Sequence, residues 1–324
     1  TPPRDMGKLS NAQLAEELRN ANPYVHRSAM RLLDERRVRM SDEDVGAMYE
    51  TLKHMVHVEN STEAKVRSLW ALSSFGGPTS VGVHALCLDD RYEPELRGTA
   101  VRIAGDRFGA NLVRIDRKQL TIEQDRFIEH VLISMAKQES DTRVRLQIAA
   151  TCRQFSSSSI RLALRELATR NSDESDPALS LMIWFALEPH IVPHRDDTLV
   201  WLAETASNHD LVRRELLPRV VRRLVATGKP DDLAACVRFA MEVTESSVRR
   251  AALDGIVVAL EGRRVEPPAE WTELAATISR DDDAATRMAA LRLGASFRDK
   301  SVMLRAEAIA LDSKSPIGER SDAV

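Results

Sequence analysis

A short segment of the form Asp/Pro-x-x-Val-Arg-x-x-Ala recurs along this chain at a spacing of about 37 residues. Recurrence at this period is typical of proteins in which each repeat is one small unit that buries its apolar face against the next. The repeat therefore constrains the architecture more than any single residue does. Its arginine recurs in most copies and defines what we call the arginine ladder: Arg27, Arg67, Arg97, Arg145, Arg213, Arg249 and Arg287.

Each recurring segment fits the second helix of a two-helix repeat, preceded by a first apolar helix. Apolar residues follow a 3.6-residue period, and no convincing alternating strand pattern is present. The sequence predicts an all-α fold, a right-handed α-α superhelix of about eight helix pairs plus a truncated ninth, as a single solenoid domain over residues 1–324. The predicted pairs are 10–20 with 23–37, 42–57 with 61–75, 79–88 with 94–108, 121–137 with 141–155, 159–170 with 177–188, 197–206 with 210–227, 231–242 with 246–261, and 270–279 with 283–296.

Local signals support these boundaries. Proline fits the first helical turn, because the N–H that it lacks would be unpaired there anyway. The prolines in this place are Pro23, Pro94, Pro177 and Pro316. Capping boxes are predicted at Ser41 with Asp44 and at Thr121 with Gln124. Glycines that predict helix ends are Gly76, Gly77, Gly109, Gly228 and Gly262.

Charge and composition disfavour several classes of function. The 46 basic residues nearly balance the 49 acidic ones and give a net charge of −3, which disfavours binding of nucleic acid through bulk charge. The longest apolar runs are shorter than a membrane-spanning helix, so we expect no direct membrane insertion. Cys87, Cys152 and Cys236 are widely separated in apolar surroundings, which predicts buried structural thiols.

Two interpretations of the arginine ladder follow from its regular position. A guanidinium can bridge a carboxylate at a helix start, such as Asp141, Glu245 or Asp283, or the carbonyls at the end of an adjacent helix. The ladder would then set the stacking of the repeats. Alternatively, its arginines line a surface that binds an anionic partner.

The ladder is interrupted at the fifth pair, where an apolar run occupies residues 178–187. Such a helix is either covered on all sides by its neighbours, or it presents Trp184 and Phe185 as an anchor for another domain. Glu188 and His190 follow, and the group 194–197 comes shortly after. The spacing of this group matches no metal-binding pattern, so a polar turn that ends the apolar helix is predicted. His54 and His57 lie three residues apart, but no third metal ligand is evident.

Catalytic signatures are missing from the sequence. It has no Gly-x-Ser-x-Gly, no phosphate-binding glycine loop and no repeated carboxylate pair. The chain is therefore expected not to be an enzyme by itself. The last repeat stops soon after Pro316 and the chain begins at Thr1, so it is expected to be a fragment of a longer polypeptide.

The repeats resemble the HEAT class of α-solenoid, in which the second helix carries Val-Arg and lines the concave side. Several stretches look closer still to the HEAT segment of exported planctomycete and verrucomicrobial proteins of the membrane-bound dehydrogenase or multidomain c-type cytochrome kind. The resembling stretches are 14–18, 22–37, 67–72, 144–147 and 181–188. In such proteins the segment lies between a dehydrogenase-like β-propeller and a cytochrome c module. The resemblance implies an exported location and a haem elsewhere in the parent protein. No cofactor is expected in this segment, which lacks Cys-x-x-Cys-His.

Three functions remain open on these grounds. The first is a non-catalytic scaffold that docks catalytic and electron-transfer domains of the same polypeptide, and the second is a free intracellular adaptor for a protein partner. The third is a nucleic-acid-binding or DNA repair protein, suggested by the arginines at 213, 214, 219, 222, 223, 249 and 250. The sequence does not specify the oligomeric state. Candidate partner-binding residues are Arg67, Arg97, Arg145, Arg213, Arg249, Arg287, Trp184, Phe185, Glu188 and His190.

Overall fold

The computed structural model describes residues 5–75, 90–108, 122–155, 159–170, 176–314 and 317–322, and within them it contains helices and no β-strand. A 3₁₀ turn at Met6–Lys8 comes first, and a second one at Glu17–Arg19 extends α1. The helices are α1 Asn11–Glu16, α2 Pro23–Arg37, α3 Asp42–Val58, α4 Thr62–Phe75, α5 Pro94–Phe108, α6 Ile122–Gln138, α7 Thr142–Cys152, α8 Ile160–Ala168, α9 Pro177–Ile191, α10 Arg195–Thr205, α11 Leu217–Val225, α12 Pro230–Glu242, α13 Ser246–Leu260, α14 Trp271–Ile278, α15 Ala284–Ser296, α16 Lys300–Leu311 and α17 Ile317–Asp322. The all-α, HEAT-like solenoid fold that the repeat predicts is thereby confirmed.

The predicted pairing agrees with these helices, with three differences. Helix α9 does not end at 188, since it continues through Pro189 to Ile191. Helix α16, to which the sequence assigned no bounds, is the first helix of the ninth pair. The second helix of the sixth pair begins with a π-helical segment, Leu211–Leu216, which runs directly into α11. The predicted helix at 79–88 lies outside the described residues.

Helix ends follow the signals in the sequence in most places. Pro23, Pro94 and Pro177 are each the first residue of their helix. Gly228 and Gly262 have φ values of 72° and 69°, the left-handed conformation that glycine adopts without a Cβ clash.

The capping boxes fall in a different place from the prediction. Ser41 caps α3 by accepting a hydrogen bond from the N–H of Asp44, but the complete reciprocal box is formed by Ser10 and Gln13 at α1. The aspartate side chain at the third helical position of α3 accepts the Ser41 hydroxyl hydrogen instead. Thr121, Gly76, Gly77, Gly109 and Pro316 lie outside the described residues.

The described chain forms two compact units, Thr1–Leu164 and Arg165–Val324. In the first unit the second helices contact one another in the order α2, α4, α5 and α7. In the second unit the second helices contact one another in the order α9, α11, α13 and α15, and the first helices α10, α12 and α14 do the same. Each unit therefore stacks its pairs side by side, as a solenoid does. The single domain over residues 1–324 stays a prediction.

Close packing of α11 against α13 in the second unit depends on a glycine. A Cβ on Gly255 of α13 would lie 2.7 Å from the carbonyl oxygen of Pro218 and 3.1 Å from Val221 Cβ, both on α11. Only a residue without a side chain lets these two helices approach so closely. The apolar residues that the 3.6-residue period places on one face of this segment are buried: Leu211, Leu216, Leu217, Val220, Val221, Leu224 and Val225.

Candidate functional site

The arginine ladder contacts the ends of the first helices. Arg145 Nη1 donates to the carbonyl oxygens of Glu139 at 3.1 Å and Ser140 at 2.6 Å, just after α6. Arg287 Nη1 donates to Asp281 O at 2.8 Å and Asp282 O at 3.0 Å, just after α14. These carbonyls lie in the turn beyond the first helix, outside its own hydrogen-bond pattern, and the arginines supply donors to them.

Arg213 and Arg249 have the same geometry. Arg213 Nη1 lies 3.3 Å from the carbonyl oxygens of both Ala206 and Ser207, at the end of α10. Arg249 donates to Ala240 O at 3.1 Å and to Val243 O at 2.7 Å, at the end of α12. In both pairs the ladder arginine fastens the second helix to the first helix of the same pair.

Two ladder arginines also bind a carboxylate of the next pair. Arg97 forms a fork with Glu139, in which Nε lies 3.0 Å from Oε2 and Nη2 lies 2.7 Å from Oε1. Arg249 Nη1 lies 2.7 Å from Asp281 Oδ2. The side chains of Arg97 and Glu139 are only 7% and 4% exposed. Burial of these charges is tolerated because their hydrogen-bonding atoms are paired.

Glu139 and Asp281 occupy equivalent places, two residues before a helix-capping aspartate. Glu139 Oε1 accepts the N–H of Asp141 at 2.8 Å, and Asp281 Oδ1 accepts the N–H of Asp283 at 3.0 Å. Burial alone would raise the pKa of Asp281, but hydrogen bonds from Ser246, from the Asp283 N–H and from Arg249 hold that pKa below its usual value. The sequence-based prediction instead named Asp141, Glu245 and Asp283 as bridging carboxylates. The spacing Asp/Glu-x-Asp before the ladder helix is the signal that would have found the pair.

Arg67 connects different pairs. Its Nη1 donates to Leu18 O at 3.2 Å and to Asn20 O at 3.0 Å, at the end of the first helix of the preceding pair. All the candidate ladder arginines, Arg67, Arg97, Arg145, Arg213, Arg249 and Arg287, thus make intramolecular contacts. Their use by an external partner stays a prediction.

Where the arginine ladder is interrupted, a serine stands in place of the arginine. Ser180, four residues after the helix-capping Asp176, occupies the place that Arg145 and Arg249 occupy in their helices. It is 3% exposed, and its hydroxyl donates to Pro177 O at 3.2 Å. A short hydroxyl that bonds inside its own helix leaves α9 without the arginine link to its first helix.

The apolar run of α9 is covered on one face only. Four residues separated by three, four and four positions lie on the opposite, exposed face, and we call them the α9 stripe: Ala178, Leu181, Phe185 and Pro189. Leu181 and Phe185 are 41% and 40% exposed, whereas Trp184 is half-buried. The expectation that neighbours cover this helix on every side is therefore wrong. Under the anchor alternative, Phe185 remains a candidate because it is exposed. Leu181 is a second exposed residue of this helix that the sequence analysis did not name.

Glu188 and His190 were predicted to lie in a polar turn after the helix. They lie within α9 instead, because the helix continues to Ile191. Pro189 fits inside the last turn of α9, and its ring faces outward with the exposed stripe. His190 is 7% exposed and belongs to the buried face. Glu188 lies half-buried beside the stripe, with Oε1 3.2 Å from Arg223 Nε on α11. The ion pair joins α9 to the next second helix.

Arginines occupy the exposed side of the segment Leu211–Val225, which contacts α9 and whose exposed side we call the border of the α9 stripe. Arg214 has a side chain that is 70% exposed, and its nearest carboxylate contact is Asp210 Oδ2 at 3.4 Å. Arg222 is exposed and forms no ion pair within the described part of the chain. Arg219 pairs with Glu215 of its own helix at 2.8 Å. The exposed surface therefore changes from apolar on α9 to basic on α11.

The remaining candidate residues are the histidines and the cysteines. His57 Nδ1 lies 2.6 Å from the Tyr92 hydroxyl, and no group of three metal-binding side chains occurs among the described residues. Cys152 and Cys236 are buried, and burial raises the pKa of both thiols, that of Cys236 to about 12. Cys87 lies outside the described residues. Within the described residues, every helix is too short or too polar to cross a membrane.

A groove of about 590 Å³ opens between α12 and the segment that precedes α14. Its lining includes Leu233 and Leu260 together with Arg238 and Glu270, which form an ion pair 2.5 Å apart. Three prolines also line it: Pro230, Pro267 and Pro268.

Comparisons with known proteins bear on the fold. No protein-family model and no curated protein matches this sequence. Among solved structures, Kap121p bound to Pho4p is similar over 97% of this chain, with a TM-score of 0.53 and 11% identity. Kap121p by itself has a TM-score of 0.41 and 12% identity, and the match covers 97% of this chain and 41% of Kap121p. An engineered protein has a TM-score of 0.32 and 13% identity, and the match covers 97% of this chain and 87% of that protein. This chain spans 36% of the length of Kap121p in the first structure. The likeness to the Kap121p complex supports a helical solenoid fold.

Proposed function

We propose that this chain is a protein-binding scaffold with no catalytic activity of its own, and that the α9 stripe is its docking site. The observation that carries the proposal is the exposure of Leu181 and Phe185 on α9, whereas α11, which contacts α9, and α13, the next second helix after it, present charged residues at their surfaces. Contiguous exposed apolar residues beside polar ones are typical of sites that another protein covers. The fold likeness to Kap121p, which is bound to Pho4p in that structure, agrees with a protein partner.

Photo-crosslinking tests the proposal in cells that naturally express the protein. A photoreactive residue placed at Leu181 should give discrete adducts with a second protein, and Phe185→Ser should reduce their yield. The matched control is the same residue at Val200, which is 57% exposed on the first helix α10 of the same unit. Equal adducts at both positions would mean that exposure alone accounts for the capture, and the proposal would fail.

The finer assignment rests on the resemblance of residues 22–37 and 181–188 to the HEAT segment of exported dehydrogenase-type cytochromes. In that proposal the partner is a neighbouring domain of the same polypeptide, the location is outside the cytoplasm, and any haem belongs to another domain. The gene sequence on both sides of this segment is the test. An export signal and a Cys-x-x-Cys-His motif in the same gene would support the assignment, and a gene without either would favour the free adaptor.

A further inference from the structure

The α9 stripe has the dimensions of a helix-binding surface. Ala178 and Pro189 lie eleven positions apart, so the stripe is roughly 16 Å long at the α-helical rise per residue. The equivalent exposed residues of α13 are Arg250, Asp254 and Val258, of which two carry a charge. The exposed face of α13 therefore lacks the apolar character of the α9 stripe.

Charge along the border of the stripe restricts the partner. Arg214 and Arg222 lie eight positions apart along the helical segment from Leu211 to Val225, on its exposed side. The carboxylate of Glu188 is already engaged by Arg223, so it does not neutralise Arg222. A partner with basic residues at this border would meet like charges, whereas carboxylates there would be attracted.

Secondary structure restricts the partner further. The described residues present no sheet edge to which an extended segment could add a strand. The stripe residues are spaced three and four positions apart, the spacing that ridges of a second helix fill when two helices pack. An amphipathic helix meets both conditions, because one face can be apolar and its border acidic.

We propose that the α9 stripe binds an amphipathic helix of a partner protein, whose apolar face covers Leu181 and Phe185 and whose Asp or Glu residues contact Arg214 and Arg222. This inference rests on the proposed function and adds the chemistry of the partner. The association involves no covalent step. The ladder arginines of the second unit take no part in this binding, because they already donate hydrogen bonds to backbone carbonyls.

Selection from a phage-displayed library of helical peptides tests the inference without knowledge of the natural partner. The protein is immobilised as the full chain in four forms: unchanged, Phe185→Ser, Arg214→Glu with Arg222→Glu, and Val200→Ser as the matched control. All the substituted side chains are exposed, so thermal melting followed by circular dichroism should be unchanged. A variant that melts early is replaced by Phe185→Ala or by the Arg→Gln pair.

The unchanged chain should enrich peptides with Leu, Ile or Met on one face and an excess of Asp and Glu beside it. Loss of an anchor side chain should weaken the binding of these peptides to Phe185→Ser by at least about tenfold, and Val200→Ser should bind them normally. The double arginine variant should enrich peptides with Lys and Arg in place of Asp and Glu. These results together would support the acidic helix.

Different failures point to different parts of the reasoning. Peptides that bind Phe185→Ser as well as the unchanged chain would overturn the docking site and with it the proposed function. Peptides that need Phe185 but show no acidic excess would overturn the acidic helix alone. Salt-sensitive binding of short duplex DNA that the double arginine variant loses and Phe185→Ser keeps would assign these arginines to nucleic acid and also overturn it.

Discussion

Replacing Gly255 with alanine should separate two second helices that touch. The added Cβ would lie 2.7 Å from the Pro218 carbonyl oxygen, whereas an ordinary contact begins at 3.4 Å, so the backbones of α11 and α13 must move apart by roughly 0.7 Å. Overpacking of this kind costs about 1–3 kcal/mol. Alanine also gains about 1 kcal/mol over glycine in a helix, which partly offsets the cost.

Gly46→Ala in α3 isolates the second of these effects. Gly46 is exposed and has no heavy atom within 4 Å of an added Cβ, so this variant should be stabilised by up to about 1 kcal/mol. Each free energy is best measured locally by native-state hydrogen exchange, because stacked repeats need not unfold in one step. The amides of α11 and α13 report on Gly255→Ala, and those of α3 report on Gly46→Ala.

The two changes should therefore differ by about 1–3 kcal/mol in opening free energy, with Gly255→Ala the less stable. The loss should be confined to α11, α13 and the helices that contact them. If Gly255→Ala raised protection in α11 as much as Gly46→Ala does in α3, the close approach of the two backbones would be refuted.

Three further predictions follow from the buried groups. Glu139→Gln leaves the Arg97 guanidinium buried beside a neutral amide and should lower the stability of α5 to α7 by about 3 kcal/mol. The control Glu50→Gln, at an exposed ion pair, should change the stability by less than about 1 kcal/mol. The urea midpoints of the two variants measure this difference. The pKa of Asp281 is held below its usual value, so its contribution to stability is present above the unfolded-state pKa and is lost as pH falls through the folded-state pKa. Asp281→Asn should therefore reduce the loss of melting temperature at acidic pH. An unchanged loss would contradict the assignment. Burial raises the pKa of the Cys236 thiol to about 12, so a thiol reagent should label it only after denaturation, and rapid labelling of the native chain would show that it is accessible.

The repeat period predicted most of the fold because each helix pair repeats the same local chemistry. Prolines at the first helical turn and glycines at helix ends mark boundaries that depend only on nearby backbone, so they could be read without tertiary structure. The end of α9 could not be read in this way. The sequence predicted that this helix ends at residue 188, but it continues through Pro189 to Ile191.

The candidate site was predicted only in part. The apolar run at 178–187 identified the unusual helix, but which of its residues is exposed depends on the rotation of α9 against α11 and the segment Leu211–Leu216, and that is set by packing. Phe185, which the sequence named only under the anchor alternative, is exposed, whereas Trp184, named with it, is half-buried, and Leu181 was missed. Likewise the ladder arginines were predicted to bridge neighbours, but their carboxylate partners depend on contacts between residues far apart in the sequence.

The shared carboxylates affect how far a local opening can spread. Asp281 receives hydrogen bonds from Ser246 and Arg249 in one helix pair, while its own backbone carbonyl receives Arg287 from the next. When either pair frays, the other loses a charged partner and exposes an unpaired group at the same time. Arg97 and Arg249 therefore act as nearest-neighbour coupling terms, and adjacent pairs joined in this way should open together as one cooperative block. Helix α9, with serine in place of the ladder arginine, lacks the link to its own first helix and should separate from it more readily than the other second helices do.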